Sequence, residues 1–247
     1  MTQSFQIQAG TMHFEALNAA IRNSAAARVV VDRCFGQRYI GAGTRGMHFT
    51  INGTPGNALG AYMDGSTIVV NGNAQDATGD TMNDGEICIH GSTGDCAGYA
   101  MRGGAIYVRD NAGYRAGVHM KAYQDKVPVL VIGGGAGSFL GEYQAGGYIV
   151  VLGQGLPKEQ IVGRFCGTGM HGGAIYLRTD EPPFDLPPQV ASAPAAAADL
   201  REIEPYVRGW CERFGGDAQA LLQGPFTVLH PNSSSPYKQL YVMNRPH

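Results

Sequence analysis

The chain has 247 residues, 37 of them glycine, with 44% hydrophobic residues and a formal net charge of −2. That apolar share excludes a disordered polymer, the glycines follow no Gly-X-Y period as in collagen, and a balanced charge without a basic run argues against a nucleic-acid surface. No apolar stretch reaches the roughly 18 residues of a membrane span, and the N-terminus lacks a signal-peptide pattern, so a cytoplasmic protein is expected.

Residues 1–35 read as an N-terminal cap. Phe14, Leu17 and Ile21 recur at helical spacing, with Thr11 as the expected N-cap. The apolar run Val29-Val30-Val31 follows as a strand signal.

From residue 36 a different rhythm begins. Gly41, Gly60, Gly79, Gly98 and Gly117 recur every 19 residues, and Gly141 and Gly163 continue the series at wider gaps. Each unit carries a second glycine and a short apolar run, as in Gly65 with Thr67-Ile68-Val69-Val70 or Gly104 with Ala105-Ile106-Tyr107-Val108. One strand signal per unit of about 20 residues predicts stacked repeats, each burying the apolar face of its neighbour. Ile68, Ile87 and Ile106 then form one interior ladder, and Val70, Ile89 and Val108 another. The fold class expected is all-β: a right-handed parallel β-helix of about seven coils over residues 36–180.

Two segments interrupt the rhythm. One lies at 118–128, with His119, Lys121, Tyr123 and Lys126; the other runs from Arg164 to Gly172. Residues 181–198, rich in proline and alanine, read as a linker. Residues 199–247 hold helices broken at Gly215-Gly216, then an arm over 225–247. The arm has too many apolar residues for a solvated tail and too many prolines for a helix, so it is expected to lie extended across a partner or over its own repeats.

The chemistry-bearing residues form no catalytic constellation. Gly133-Gly134-Gly135-Ala136-Gly137 follows a strand signal but no amphipathic helix follows it, which rules against a dinucleotide site. The five cysteines form no C-x-x-C pair and read as free thiols; the spacing of Cys88, His90 and Cys96 matches no zinc site. Asp76 and Asp95 are equivalent positions of adjacent repeats, which suits a turn role better than paired-carboxylate chemistry. The aliphatic positions do not recur every six residues, which disfavours the hexapeptide-repeat acyltransferases. What stands out is an aromatic and arginine concentration typical of interfaces. The candidate partner interface is Tyr99, Arg102, Tyr114 and Arg115, with Phe226, Tyr237 and Tyr241 on the arm.

The ordered series Asp32-Arg33-Cys34-Phe35-Gly36, Gly53-Thr54-Pro55-Gly56-Asn57-Ala58-Leu59-Gly60, Gly72-Asn73-Ala74-Gln75-Asp76-Ala77-Thr78-Gly79 and Ala100-Met101-Arg102-Gly103-Gly104 resembles the GXGXG domain at the C-terminal end of the glutamate synthase large subunit. The resemblance covers roughly residues 30–180 and implies a right-handed β-helix without chemistry of its own. It implies no catalytic, cofactor or metal residue on this chain, and a hetero-oligomer. The partners implied are an FMN-binding glutamate synthase-like subunit and a class II glutamine amidotransferase-like subunit. FMN, and any iron–sulfur cluster, would sit on those partners. The chain looks like the free-standing GXGXG subunit of an N-methylglutamate synthase (methylamine–glutamate N-methyltransferase) or a split glutamate synthase. The second resemblance is to the β-helical scaffold subunit of formylmethanofuran dehydrogenase and of the formyltransferase/hydrolase complex.

Overall fold

The computed structural model describes residues 4–232. Strand β1 (Ser4–Gln8) and helix α1 (Phe14–Ser24) lead into β2 (Arg28–Phe35), β3 (His48–Thr54), β4 (Asp64–Asn71) and β5 (Asp84–Ile89). Strands β6 (Ala105–Val108), β7 (Val129–Ile132), β8 (Ala145–Val151) and β9 (Gly172–Leu177) continue the series. After β10 (Val190–Pro194) come α2 (Ala197–Phe214), α3 (Ala218–Leu222) and β11 (Thr227–Pro231).

All eleven strands form one sheet, in the order β1-β2-β3-β4-β5-β6-β7-β8-β9-β11-β10. The first nine run parallel, whereas β11 lies antiparallel to β9 and β10 antiparallel to β11. The expectation of an all-β, right-handed β-helix of about seven coils is thereby corrected. The described residues form a single mixed sheet running from β1 at one edge to β10 at the other, with helices packed on it, an α/β-like arrangement. The physical reason lies in the repeats. Each supplies only one strand, and the rest of the unit is turn backbone joined to its neighbours by single bridges such as Ala74 to Thr93 and Thr93 to Ala112. Among the described residues no helix is long and apolar enough to cross a membrane.

The register places side chains as the spacing required. Phe49, Ile68, Ile87, Ile106, Leu130, Ile149 and Ile175 occupy one row of paired positions. Ile51, Val70, Ile89, Val108, Ile132, Val151 and Leu177 occupy the row two residues on, which faces the same side because side chains alternate along a strand. Both rows are buried in one cluster with Leu59, Leu140, Met63, Met82, Met101 and Met120 from the turns. Each such side chain contributes roughly 1.5–3 kcal/mol by leaving water. Leu17 and Ile21 of α1 join this cluster, so the apolar stripe read from the sequence does pack. The N-cap, however, is His13 rather than Thr11, and no side chain caps it.

The opposite face of the sheet has its own core. Tyr107, Val131, Val150 and Tyr176 meet Ile203, Val207, Trp210 and Cys211 of α2, together with Phe226 and Val228. Arg213 grips the Glu86 carboxylate with two nitrogens, Nε to Oε1 at 2.9 Å and Nη2 to Oε2, while its guanidinium lies 4.3 Å from the centre of the Tyr107 ring. Burial pushes the Tyr107 hydroxyl up to about 12, so it stays neutral beneath the helix.

The segments read as linker and arm both contribute strands, and the first part of the arm takes one of its two expected courses, over its own repeats. Residues 181–198, read as a linker, contain β10 at the sheet edge. The first part of the arm is β11, which pairs with β9 and β10 of its own sheet. Its Leu229 is fully buried. The remainder of the arm, with Tyr237 and Tyr241, lies outside the described residues.

Short polar side chains knit one repeat to the next. Asp76 Oδ1 accepts from the Asp95 N–H at 2.9 Å, and Asp95 Oδ1 accepts from the Tyr114 N–H at 2.8 Å. Asn111 Oδ1 does the same for the Gly135 N–H at 2.8 Å. An amide oxygen serves as well as a carboxylate here, so Asp76→Asn is expected to leave stability within about 0.5 kcal/mol. Asp76→Ala removes the acceptor and should cost about 1 kcal/mol. Urea midpoints of the two variants check this.

Candidate partner-facing surface

Between strands, the repeats form a stack of turns with an unusual backbone. Alternate residues sit in the left-handed region: Ala58, Gly60 and Tyr62 have φ of 61°, 64° and 57°, and Arg115, Gly117 and His119 have 56°, 70° and 57°. The alternation sends successive N–H groups in opposite directions along the stack. Ala58 donates forward to Asp76 O at 2.9 Å, Gly60 donates back to Ile40 O at 2.9 Å, and Tyr62 donates forward to Asp80 O at 2.8 Å. A non-glycine residue in this region costs roughly 1–2 kcal/mol, offset here by the paired backbone.

The middle residue of each triplet points at the core and is glycine throughout. At Gly41, Gly60, Gly79, Gly117 and Gly141 an added Cβ would lie 2.4 to 2.8 Å from the Cδ1 of an interior isoleucine. The seventh member of this column is Gly167 (φ 71°), whose N–H donates to Leu140 O, rather than Gly163. Gly163 belongs to a second column with Gly94, Gly113 and Gly137, where a Cβ would strike the preceding repeat. The two interrupting segments hid this shift in the sequence.

The flanking left-handed residues point outward and build an aromatic surface. Tyr114 meets Phe139 edge-on and Phe139 packs tilted against Phe165, with ring centres 5.3 and 4.9 Å apart. Arg115 lies over Tyr114 and Phe139 at 5.0 and 5.5 Å. Its Nε is 2.8 Å from Glu142, an ion pair whose angle does not make a hydrogen bond. Alongside, His119 stacks on Tyr143 at 5.1 Å, and Tyr99 meets the edge of His119 at 5.9 Å. Tyr99, Arg102, His119, Lys121, Tyr143 and His171 line a shallow cleft of about 380 Å³.

Four of the expected interface residues, Tyr99, Arg102, Tyr114 and Arg115, therefore share this turn face. Phe226 does not; it is 5% exposed beneath α2, on the far side of the sheet. Tyr143, Phe139 and His171 were missed, because their place in the columns is legible only after the insertions are counted through.

The family model for the GXGXG motif matches residues 6–224. The chain belongs to the GXGXG family. It is 43% identical to the uncharacterized protein MJ1350 of Methanocaldococcus jannaschii, over 96% of this chain and 95% of that one. Its fold resembles a chain in the crystal structure of the formyltransferase/hydrolase complex (FhcABCD) of Methylorubrum extorquens in complex with methylofuran. The TM-score is 0.59 at 20% identity, over 81% of this chain and 71% of that chain. Alternating glycine suits the turn face of a GXGXG protein physically, since every second residue there needs positive φ. The run Phe165-Cys166-Gly167-Thr168-Gly169 is one such turn, with φ of 59°, 71° and 71° at its alternate residues.

The thiols of this GXGXG chain are poor nucleophiles. Burial pushes Cys34 and Cys88 up to about 11 and Cys166 up to about 12. Cys88 Sγ lies 3.7 Å from His90 Nε2. Among the described residues no group of three or more His, Cys, Asp or Glu side chains is placed to hold a metal ion. A thiol raised by two pH units has a thiolate fraction about a hundredfold smaller at pH 8. Ellman's reagent should therefore label Cys96, the one half-exposed thiol, well before Cys34, Cys88 and Cys166, and all five only after denaturation. Fast labelling of Cys88 in the native chain would contradict this.

Proposed function

We propose that this chain is a non-catalytic scaffold subunit that aligns two enzymatic partners within a glutamate synthase-type complex, N-methylglutamate synthase. The observation that carries the reading is the turn face. A stack of turns joined repeat to repeat by backbone hydrogen bonds presents exposed tyrosine, phenylalanine and arginine side chains, with Tyr99 40% and Phe165 44% exposed. Aromatic and arginine side chains on a preorganised surface are the usual anchors of an interface, because little side-chain entropy is lost on binding. On the other sheet face α2 covers the β6–β9 part, so over those repeats the turn face is the surface open to a partner. The ordered motif series over residues 30–180 supports the glutamate synthase side of the family.

In this reading the partners are an FMN-binding synthase-like subunit and a class II amidotransferase-like subunit, and FMN belongs to the former. A second reading, a scaffold for formyl transfer and hydrolysis, is favoured by the fold likeness to the FhcABCD chain. Affinity purification of the full chain from its native source, followed by mass spectrometry and a visible spectrum, tests both. A yellow complex holding a flavin barrel and an amidotransferase supports the first. A metal-dependent amidohydrolase-like partner supports the second. A chain that purifies alone and turns over substrate by itself overturns both.

A further inference from the structure

The residues that follow the inward methionines of the turns form a column along the stack. They are Asp64, Asn83, Arg102, Lys121 and His171, with Ala145 in the same place after the buried Gln144, and each donates its N–H back to the repeat before it, as Arg102 does to Met82 O at 2.8 Å and Lys121 to Met101 O at 3.0 Å. The column changes sign. Its acidic end is already satisfied, since Asp64 pairs with Arg45 and with Lys126 at 3.4 Å. Its cationic stretch is not: among the described residues no carboxylate lies within ion-pair distance of Arg102 or Lys121. By contrast Lys158, at a recess near β9, is held by Asp180 and Glu181.

The cleft at this stretch combines three properties. No aspartate or glutamate lines it, although the chain as a whole carries a net charge of −2. Two permanent cations and two histidines meet there with Tyr99 and Tyr143, whose rings wall it. Ala100 and Ala145, small side chains, lie among its lining residues, so a backbone can approach. Stacked repeats are about 4.8 Å apart, so the column from Arg102 to His171 spans about 14 Å. An extended peptide rises about 3.3 Å per residue, so four or five residues cover that length with alternate side chains facing the column.

We infer that this cleft is the docking site for an extended acidic segment of a partner protein, with its carboxylates meeting Arg102 and Lys121 and its backbone lying over Ala100 and Ala145, beside the Tyr99, His119 and Tyr143 rings. Arginine engages a carboxylate through two parallel N–H donors, and lysine as a point charge. The inference rests on the scaffold reading, and adds where a partner binds and by what chemistry.

The test uses the full chain with the partners that co-purify with it. A photo-cross-linking residue at Tyr99 or Tyr143 is expected to capture a peptide of another subunit that carries at least two Asp or Glu residues. R102E/K121E is expected to weaken assembly about tenfold or more, with a loss that shrinks as salt is raised. Its melting temperature should stay within about 2 °C of the parent, because both side chains lie outside the core. Cross-links confined to this chain, or assembly of R102E/K121E at parental strength, overturn the inference. Failure of the scaffold reading is seen separately, as a parent chain that brings down no partner. In that case deca-glutamate and glutarate decide. Saturable deca-glutamate binding that R102E/K121E abolishes upholds the site. Binding of glutarate alone makes it a small-carboxylate site and overturns the inference, as does binding of neither.

Discussion

Trp210→Ala is expected to destabilise the chain by about 3–5 kcal/mol, the range for removing a large buried aromatic. Trp210 is the chain's single tryptophan and is 5% exposed. Its indole Nε1 donates to Val108 O at 2.9 Å, and Phe214 packs against it at 5.2 Å. The ring also fills the space above Gly133, where an added Cβ would lie 2.4 Å from Trp210 Cζ2. The glycine run that imitates a dinucleotide motif in the sequence is thus, at Gly133, a seat for this indole. Two separate apolar clusters lie on the two faces of the sheet, so the loss should first free α2 and leave the turn stack folded. Trp210→Phe keeps the apolar contact and loses the donor, so it should cost nearer 1 kcal/mol. Calorimetry and limited trypsin digestion check this: early cleavage should fall at Arg201, Arg208 or Arg213 of α2. A Trp210→Ala chain that melts within about 1 kcal/mol of the parent would show that α2 is held by other contacts.

The contrast between the two faces explains what the sequence revealed. The 19-residue period made the interior ladders legible, because Ile68, Ile87 and Ile106 stand at equal offsets and pair in the structure. The turn role of Asp76 and Asp95 was legible for the same reason. The fold class was not. The period says that units stack, but it does not say how many strands each unit contributes, and here the return path is left-handed turn. Strand β1 was also missed, although Phe5-Gln6-Ile7-Gln8 alternates as a strand should; its partner, β2, lies across a helix. The candidate surface was half legible. Tyr99 and Arg102 stood out by composition, but Tyr143 and His171 join them only through the two insertions. Phe226 looked like an arm residue and is a core residue, since the antiparallel pairing of β11 on β9 cannot be read from local sequence.

The glycine column yields the second large effect, and the structure divides positions that the sequence treats alike. Gly79 (φ 71°) and Gly98 (φ 70°) have the same backbone, so any side chain at either costs about 1–2 kcal/mol in the left-handed region. Their surroundings differ. A Cβ at Gly79 would stand 2.5 Å from Ile106 Cδ1, whereas at Gly98 nothing lies closer than 3.8 Å. The cause is one residue in the interior row. The columns set Gly60 against Ile87, Gly79 against Ile106 and Gly117 against Ile149, and Gly98 should face position 130, which is leucine. Ile106 is fully buried, so pushing it aside in a packed core adds about 1–3 kcal/mol. Gly98→Ala is therefore expected to cost about 1–2 kcal/mol and Gly79→Ala about 2–5 kcal/mol, with valine worse at both sites. Chemical denaturation of the two alanine variants measures the gap. Equal costs, within about 0.5 kcal/mol, would mean that backbone strain alone sets the requirement for glycine. The sharper check is a double-mutant cycle with Leu130→Ile. If the isoleucine methyl is what forbids a side chain, Leu130→Ile should be tolerated alone and should make Gly98→Ala about as costly as Gly79→Ala.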